Sequence, residues 1–265
     1  LRKLVVILVA TVPLISCKQV ITQGNLLDRE TVVATKASDG TNLHKLGINL
    51  YPPKGKVLHM SGQNREDFAS YLKKVTDNGK TIGLPTGVAF YSNLHRWGFK
   101  RAKAYALGDH SQHLDGVLTH YQPLIPQIQI WADDQELQRI NRGAADSDIQ
   151  SLAKLLISYK RPIYMRFGGE FDDGRYKDPQ AYQQAFRRIV DTFVNVGVNN
   201  VSYVWHSIGM KPTYQQRDIS DWYPGDAYVN WVGISIFQIS ADGYYEDHNR
   251  DRIVAFAKER NLPVM

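Results

Sequence analysis

From Lys54 onward the apolar positions follow one repeating rhythm. A short, continuous apolar run is followed by a stretch with apolar residues every three or four positions, and then by another run. The runs are Val57–Ser61, Gly87–Tyr91, Ile125–Trp131, Pro162–Phe167, Val201–His206 and Trp231–Phe237, with a last one beginning at Pro263. Their length and β-branched content read as strands. The stretches Arg65–Asp77, His110–His120, Asp146–Tyr159, Pro179–Val196 and Arg250–Arg260 read as helices. The helix at Pro179 is the most sharply marked. Asp178 is an N-cap acid and Pro179 suits the first helical position. Tyr182, Phe186, Ile189, Val190 and Phe193 make one apolar face, and Gly197 ends the helix.

Strands that alternate with helices pair in parallel, with the helices covering the sheet. The strand runs are apolar throughout, as they are when both faces are covered. An open doubly wound sheet and a (β/α)8 TIM barrel both satisfy this pattern. No glycine-rich dinucleotide fingerprint follows the first run, which ends Met60-Ser61-Gly62-Gln63. Polar and aromatic residues gather at the C-terminal ends of at least five runs, the face on which a barrel builds its site. The pattern therefore predicts an α/β chain forming a (β/α)8 TIM barrel, incomplete at the C-terminus because it ends in strand seven. A barrel lacking the rest of its strands exposes sheet edges and core. The expectation is a poorly soluble, inactive piece when these 265 residues stand alone.

The first seventeen residues break the rhythm. Arg2 and Lys3 precede an apolar run from Leu4 to Ile15, shorter than the roughly 20 residues that span a bilayer. A basic start and a short apolar stretch describe a secretory signal. Its end, Leu14-Ile15-Ser16-Cys17, resembles the lipobox of bacterial lipoproteins, in which the chain is cut before a cysteine that carries the lipid. Cys17 is also the one cysteine in the chain, so no intrachain disulfide can form. The expected organisation is a signal peptide over 1–16, a lipidated Cys17 and polar tether over 17–53, and the barrel over 54–265. That implies export to the cell envelope and attachment through the lipid to the outer membrane or cell surface.

Composition narrows the function classes. Apolar residues make up 43% and charged residues 22%, enough for a packed core and too apolar for general disorder. The net charge of +6 is spread along the chain with no basic run, which argues against nucleic acid as a partner. Fifteen Tyr, nine Phe and five Trp make a rich supply of flat rings.

The segment Arg166-Phe167-Gly168-Gly169-Glu170 carries the sharpest chemistry. Arg166, Gly168 and Glu170 share one strand face by the period of two. The two glycines leave room for a bulky ligand beside the Glu170 carboxyl. An apolar mouth would raise that carboxyl's proton affinity toward proton donation, and Arg166 would oppose the rise. Trp205 and His206 end the fifth run, Trp131 the third and Phe237 the sixth; His59 and Gln63 flank the end of the first. All are candidates to line a substrate cleft. His110, His113 and His120 lack an accompanying acidic or cysteine cluster and read as solvated residues, with no metal site. Tyr223-Pro224-Gly225-Asp226 reads as a turn. No nucleophile elbow, P-loop or zinc-protease motif occurs.

A set of segments in order carries a family resemblance. They are Val57 to Gln63, Ile125-Pro126-Gln127-Ile128, Arg166 to Phe171, Val204-Trp205-His206, Tyr223 to Ile234, and Leu262-Pro263-Val264-Met265. Together they resemble glycoside hydrolase family 26 and the related β-mannanase-like barrels. The resemblance implies a retaining endo-β-glycanase that acts on a polysaccharide and needs no cofactor. It implies that Glu170, at the end of strand four, is the general acid/base. It also implies a nucleophilic Glu shortly after Pro263-Val264-Met265, beyond residue 265. Arg166, Trp205, His206, Phe237, Trp131, His59 and Gln63 are then substrate-binding residues. Two positions depart from the pattern: Gly169 stands where mannan-cleaving members carry His, and Phe237 where Tyr is common. Two other classes remain: a non-catalytic glycan-binding surface lipoprotein on the same barrel, and a structural envelope lipoprotein without glycan affinity.

Overall fold

The computed structural model describes residues 28–30, 35–36, 42–43, 46–62, 70–71, 73–74, 85–94, 124–209, 218–236 and 248–265. Four short strands come first: β1 (Asp28–Glu30), β2 (Thr35–Lys36), β3 (Asn42–Leu43) and β4 (Asn49–Tyr51). The main sheet follows with β5 (Met60–Gly62), β6 (Gly87–Asn93), β7 (Ile125–Trp131), β8 (Ile163–Phe167), β9 (Val201–Ser207) and β10 (Trp231–Ile234). The helices are α1 (Asp134–Asn141), α2 (Asp146–Tyr159), α3 (Pro179–Val196) and α4 (His248–Glu259).

Strands β5 to β10 lie side by side in chain order, and every neighbouring pair is parallel. Residues 263–265 add a further parallel rung: Val232 donates to the Pro263 carbonyl, Met265 to Val232, and Ile234 to Met265. The sheet is strongly curled. Gln127 on β7 donates through Nε2 to the Met265 sulfur at 3.2 Å, although β8, β9 and β10 lie between the two strands. In a flat sheet four strand spacings amount to about 19 Å. The contact requires the sheet to close round on itself as part of a barrel.

The curl separates two cores. Side chains alternate along a strand, so Ile163, Met165 and Phe167 of β8 and Val201, Tyr203 and Trp205 of β9 face the helices in one large cluster. The inner face collects Ile125, Tyr164, Val204 and Trp231 with Leu50. Arg166 and His206 follow on this inner face, one alternation further along their strands.

Helices α2 and α3 have the limits read from the sequence, although α2 follows Ala145 and has no side-chain cap. The Asp178 carboxylate accepts from the Gln180 N–H, and Gly197 closes α3 in a left-handed conformation. Helix α1 was not expected from the sequence. It is eight residues long and is started by Asp133, whose side chain accepts from Glu136 N–H.

Two expectations change. The barrel does not begin at Lys54. Leu46 and Ile48 donate to the carbonyls of Ala227 and Val201, at or before the starts of β10 and β9. Leu50 is fully buried in the inner core, and its carbonyl accepts from the Tyr164 hydroxyl at 2.6 Å. The last residues of the expected tether therefore form the floor of the barrel. The first sheet strand also begins at Met60, with Val57 84% exposed, so His59 precedes the strand.

Candidate active site

The C-terminal ends of β7 to β10 converge on one mouth. Strand β8 stops at Phe167, and the chain then turns through left-handed conformations at Gly168 and Glu170. A side chain at Gly168 would meet the rings of Tyr182 and Tyr176 within about 3 Å, so this glycine is required by close approach as well as by φ. At Glu170, φ is 61°, which costs a residue with a side chain on the order of 1 kcal/mol or more. The turn is held from β9: the backbone N–H groups of Glu170 and Phe171 both donate to the His206 carbonyl, at 2.7 and 3.2 Å. Glu170 thus reaches the mouth through a pinned turn rather than through the strand alternation expected for it.

Around Glu170 the polar groups are closely fitted. Ser235, just past β10, donates its hydroxyl to Oε1 of Glu170 at 2.7 Å. The same hydroxyl lies 3.1 Å from Nε2 of His206. His206 is buried, and burial, aided by the charge of Arg166, holds its pKa well below the ordinary value of 6.5. Its imidazole is therefore neutral. Arg166 lies deeper, its guanidinium carbon 5.9 Å from the centre of the Tyr91 ring. Burial pulls its pKa down, while Tyr91 and Glu170 support the charge. Gln129 sits beneath Gly169, and a Cβ there would lie 2.8–2.9 Å from three atoms of the Gln129 amide. The space a Gly169 side chain would take is thus filled by a glutamine from the neighbouring strand.

The loop after Glu170 is fastened down. Asp172 accepts from the Ser207 hydroxyl at 2.6 Å and the Ile208 N–H at 2.7 Å. Asp173 accepts from the backbone and the guanidinium of Arg175, at 2.8 and 2.6 Å. Burial raises the Asp173 pKa, against the pull of Arg175. Arg175 in turn lies over one face of Trp131, 4.0 Å from the ring centre. Trp131 ends β7 half-buried at the mouth, on the inward parity of Gln127 and Gln129.

A cavity of about 400 Å³ lies inside the curled sheet, from Pro52, Lys56, Val57 and Leu58 at the end opposite the mouth up to Arg166 and His206. Its wall includes Met60, Gln127, Arg166, His206, Trp231 and Met265, and no carboxylate lines it among the described residues. It lies between β5 and residues 263–265, the two outer strands of the sheet.

The structure brings Glu170, Arg166, His206 and Trp131 to this region. It moves Trp205 elsewhere. Adjacent residues on a strand point to opposite faces, so Trp205 and His206 cannot both line the mouth. The Trp205 indole is fully buried among the helices, stacked on Phe171 with ring centres 4.4 Å apart, and its N–H donates to the Trp222 carbonyl. His59 is also displaced. It stands at the start of β5, at the opposite end from the mouth, beside Tyr71. Gln63, Phe237, Cys17 and the three histidines at 110, 113 and 120 lie outside the described residues. Sequence reasoning missed Ser235 and Gln129. Ser235 shares the parity of Gly233 in Trp231–Phe237, and Gln129 is a polar residue inside an apolar strand; both signals were readable.

The model of Glycosyl hydrolase family 26 matches residues 160–264. That stretch contains the Glu170 turn, His206, Ser235 and the 263–264 rung. The Beta-1,3-xylanase TXYA of a Vibrio species is 26% identical over 239 residues, covering 88% of this chain and 48% of that protein. A Beta-1,3-xylanase of an Alcaligenes species is 25% identical over 238 residues, covering 88% and 47%. The chain thus spans about half the length of these two relatives. Among solved structures, Bacillus subtilis mannanase man26 superposes with a TM-score of 0.54 at 18% identity, covering 78% of this chain and 70% of that one. GH26A from Muricauda sp. MAR_2010_75 gives 0.55 at 16% identity, covering 78% and 76%. These likenesses establish the fold: a partial, TIM-barrel-like α/β structure, as the sequence rhythm predicts.

Proposed function

We propose that this protein is a retaining endo-β-glycanase of glycosyl hydrolase family 26, with Glu170 as its general acid/base. The observation that carries the reading is the placement of Glu170. It stands at the end of the fourth strand of a barrel-like sheet, on a strained turn, with one carboxyl oxygen held by Ser235 at 2.7 Å. Catalytic residues of barrel enzymes occupy strand ends on this face.

In the retaining scheme the protonated Glu170 carboxyl gives its proton to the glycosidic oxygen as the bond from that oxygen to the anomeric carbon breaks. A second carboxylate, about 5–5.5 Å from the first, bonds to the anomeric carbon. The ionised Glu170 then takes a proton from water, which attacks the same carbon and releases the sugar. The family resemblance assigns the second carboxylate to the strand that starts at Pro263-Val264-Met265. Trp131 offers a ring face to a sugar, Arg166 and His206 stand on the cavity wall, and Gln63 and Phe237 complete the expected set.

Polysaccharide is the proposed substrate class. β-1,3-Xylan is the first to test, because the two relatives aligned with most of the chain are β-1,3-xylanases. β-1,4-Mannan is the second. The decisive comparison is hydrolysis of each by full-length wild type and Glu170→Gln. Loss of hydrolysis in the variant supports the reading, and binding without turnover by the wild type would instead favour a glycan-binding protein. We further propose that Cys17 carries a lipid that tethers the protein to the cell envelope. Metabolic labelling with palmitate should mark the wild type and spare Cys17→Ser.

A further inference from the structure

We propose that Ser235 and His206 act as a positioning relay behind Glu170, with the His206 Nε2–H donating to the Ser235 hydroxyl and that hydroxyl donating to Oε1 of Glu170. The inference rests on the reading of Glu170 as the acid/base.

Three observations carry it. The Ser235 oxygen lies 2.7 Å from Oε1 of Glu170 and 3.1 Å from Nε2 of His206. A hydroxyl has one proton to give. If it goes to the carboxylate, Nε2 must carry its own proton and donate to the serine oxygen. The second observation is Nδ1 of His206, which is buried and has no hydrogen-bond partner among the described residues. In a neutral ring protonated at Nε2, Nδ1 is a bare acceptor. An orphaned acceptor costs less than the orphaned N–H that the other tautomer would leave. The third is Gly233. A Cβ there would come within 2.7 Å of the His206 ring, so the glycine clears the space the imidazole occupies.

The relay fixes one oxygen of Glu170 and leaves Oε2 for the glycosidic oxygen. The groups around it are of both signs. Arg166 stands on β8 and Tyr91 on β6, and Asp173 follows Glu170 in the same loop. Burial and Arg166 keep His206 neutral, so it enters the relay as a dipole rather than as a cation.

The relay predicts a specific kinetic signature in the full-length enzyme. In Ser235→Ala, kcat falls about tenfold while KM stays within about twofold, as for an interaction made mainly in the transition state. Ser235→Thr keeps the hydroxyl and restores kcat. A Ser235→Ala enzyme with wild-type kcat would overturn the relay. Undiminished hydrolysis by Glu170→Gln would overturn the acid/base reading instead. A measurement that needs no substrate is the ¹⁵N spectrum of histidine-labelled protein, with His206 assigned from the signal lost in His206→Gln. The expected result is an Nε2–H tautomer that takes up no proton between about pH 5 and 8. An Nδ1–H tautomer, or titration near the ordinary value, would overturn the relay.

Discussion

Glu170 holds a left-handed backbone conformation because two N–H groups in succession, its own and that of Phe171, are held by the His206 carbonyl. The same economy of space governs Gly169, whose missing Cβ is where the Gln129 amide sits. Gly169→Ala should therefore destabilise the fold by about 1–3 kcal/mol through overpacking, read as a lower denaturant midpoint. Adding Gln129→Ala should recover part of that loss, and a strictly additive pair would contradict the account. The two tryptophans separate by role. Trp205→Ala empties a fully buried site and should cost about 3–5 kcal/mol. Trp131→Ala removes a half-buried ring that Arg175 covers; it should cost less stability than Trp205→Ala and weaken polysaccharide binding, measured by affinity electrophoresis. His206 adds a pH dependence with a definite sign. Its folded pKa lies well below 6.5, so on acidification the unfolded chain takes up a proton that the folded chain refuses. This contribution is fully present above about pH 6.5 and is lost below it, at up to about 1.4 kcal/mol per pH unit. Unfolding free energies at pH 7.5 and 5 should diverge more in the wild type than in His206→Gln; equal slopes would contradict it.

At the scale of elements, α3 shows how a sequence specifies a helix. Its start is set by the Asp178 cap and Pro179, its buried face by Tyr182, Ala185, Phe186, Ile189, Val190 and Phe193, and its end by Gly197. Asp178→Ala should cost about 1 kcal/mol of stability by thermal unfolding. Helices α2 and α3 were legible because such signals are local. Helix α1 was not, because eight residues directly after a strand leave too short a periodic stretch to read. Strand β9 shows a different limit. All seven of its residues are buried, so hydrophobicity alone cannot say which face looks into the barrel. The polar side chains Arg166 and His206 mark the inner face of their strands. Applying the two-residue period from His206 would have sent Trp205 outward. The Glu170 turn and its Ser235 partner depend on positive φ at two residues and on a contact across 65 positions. The turn leaves no periodic trace, and the parity that puts Ser235 on the inner face does not pair it with Glu170.

For the whole molecule, the central feature is a curled parallel sheet whose floor is closed from before Lys54. Leu50 fills the inner core, and the Tyr164 hydroxyl clamps its carbonyl. A chain begun at Asp28 keeps β1 paired with β4 and should keep the unfolding midpoint of the longer one, whereas a chain begun at Lys54 should melt lower or fail to fold. Equal midpoints for the two would contradict the role given to the floor. The rhythm of strands and helices announced this architecture from the sequence, because parallel pairing follows from alternation. The floor was not announced, because a polar segment of weak periodicity contributes through only a few residues. The chemistry belongs to the mouth at the other end of the strands, where Glu170 and Ser235 meet. Its most direct test is kcat on β-1,3-xylan and β-1,4-mannan for the full-length wild type and Glu170→Gln, with folding checked by circular dichroism. The account predicts hydrolysis by the wild type and a loss of about 10²–10⁴-fold in the variant. Undiminished hydrolysis by a folded Glu170→Gln protein would contradict it.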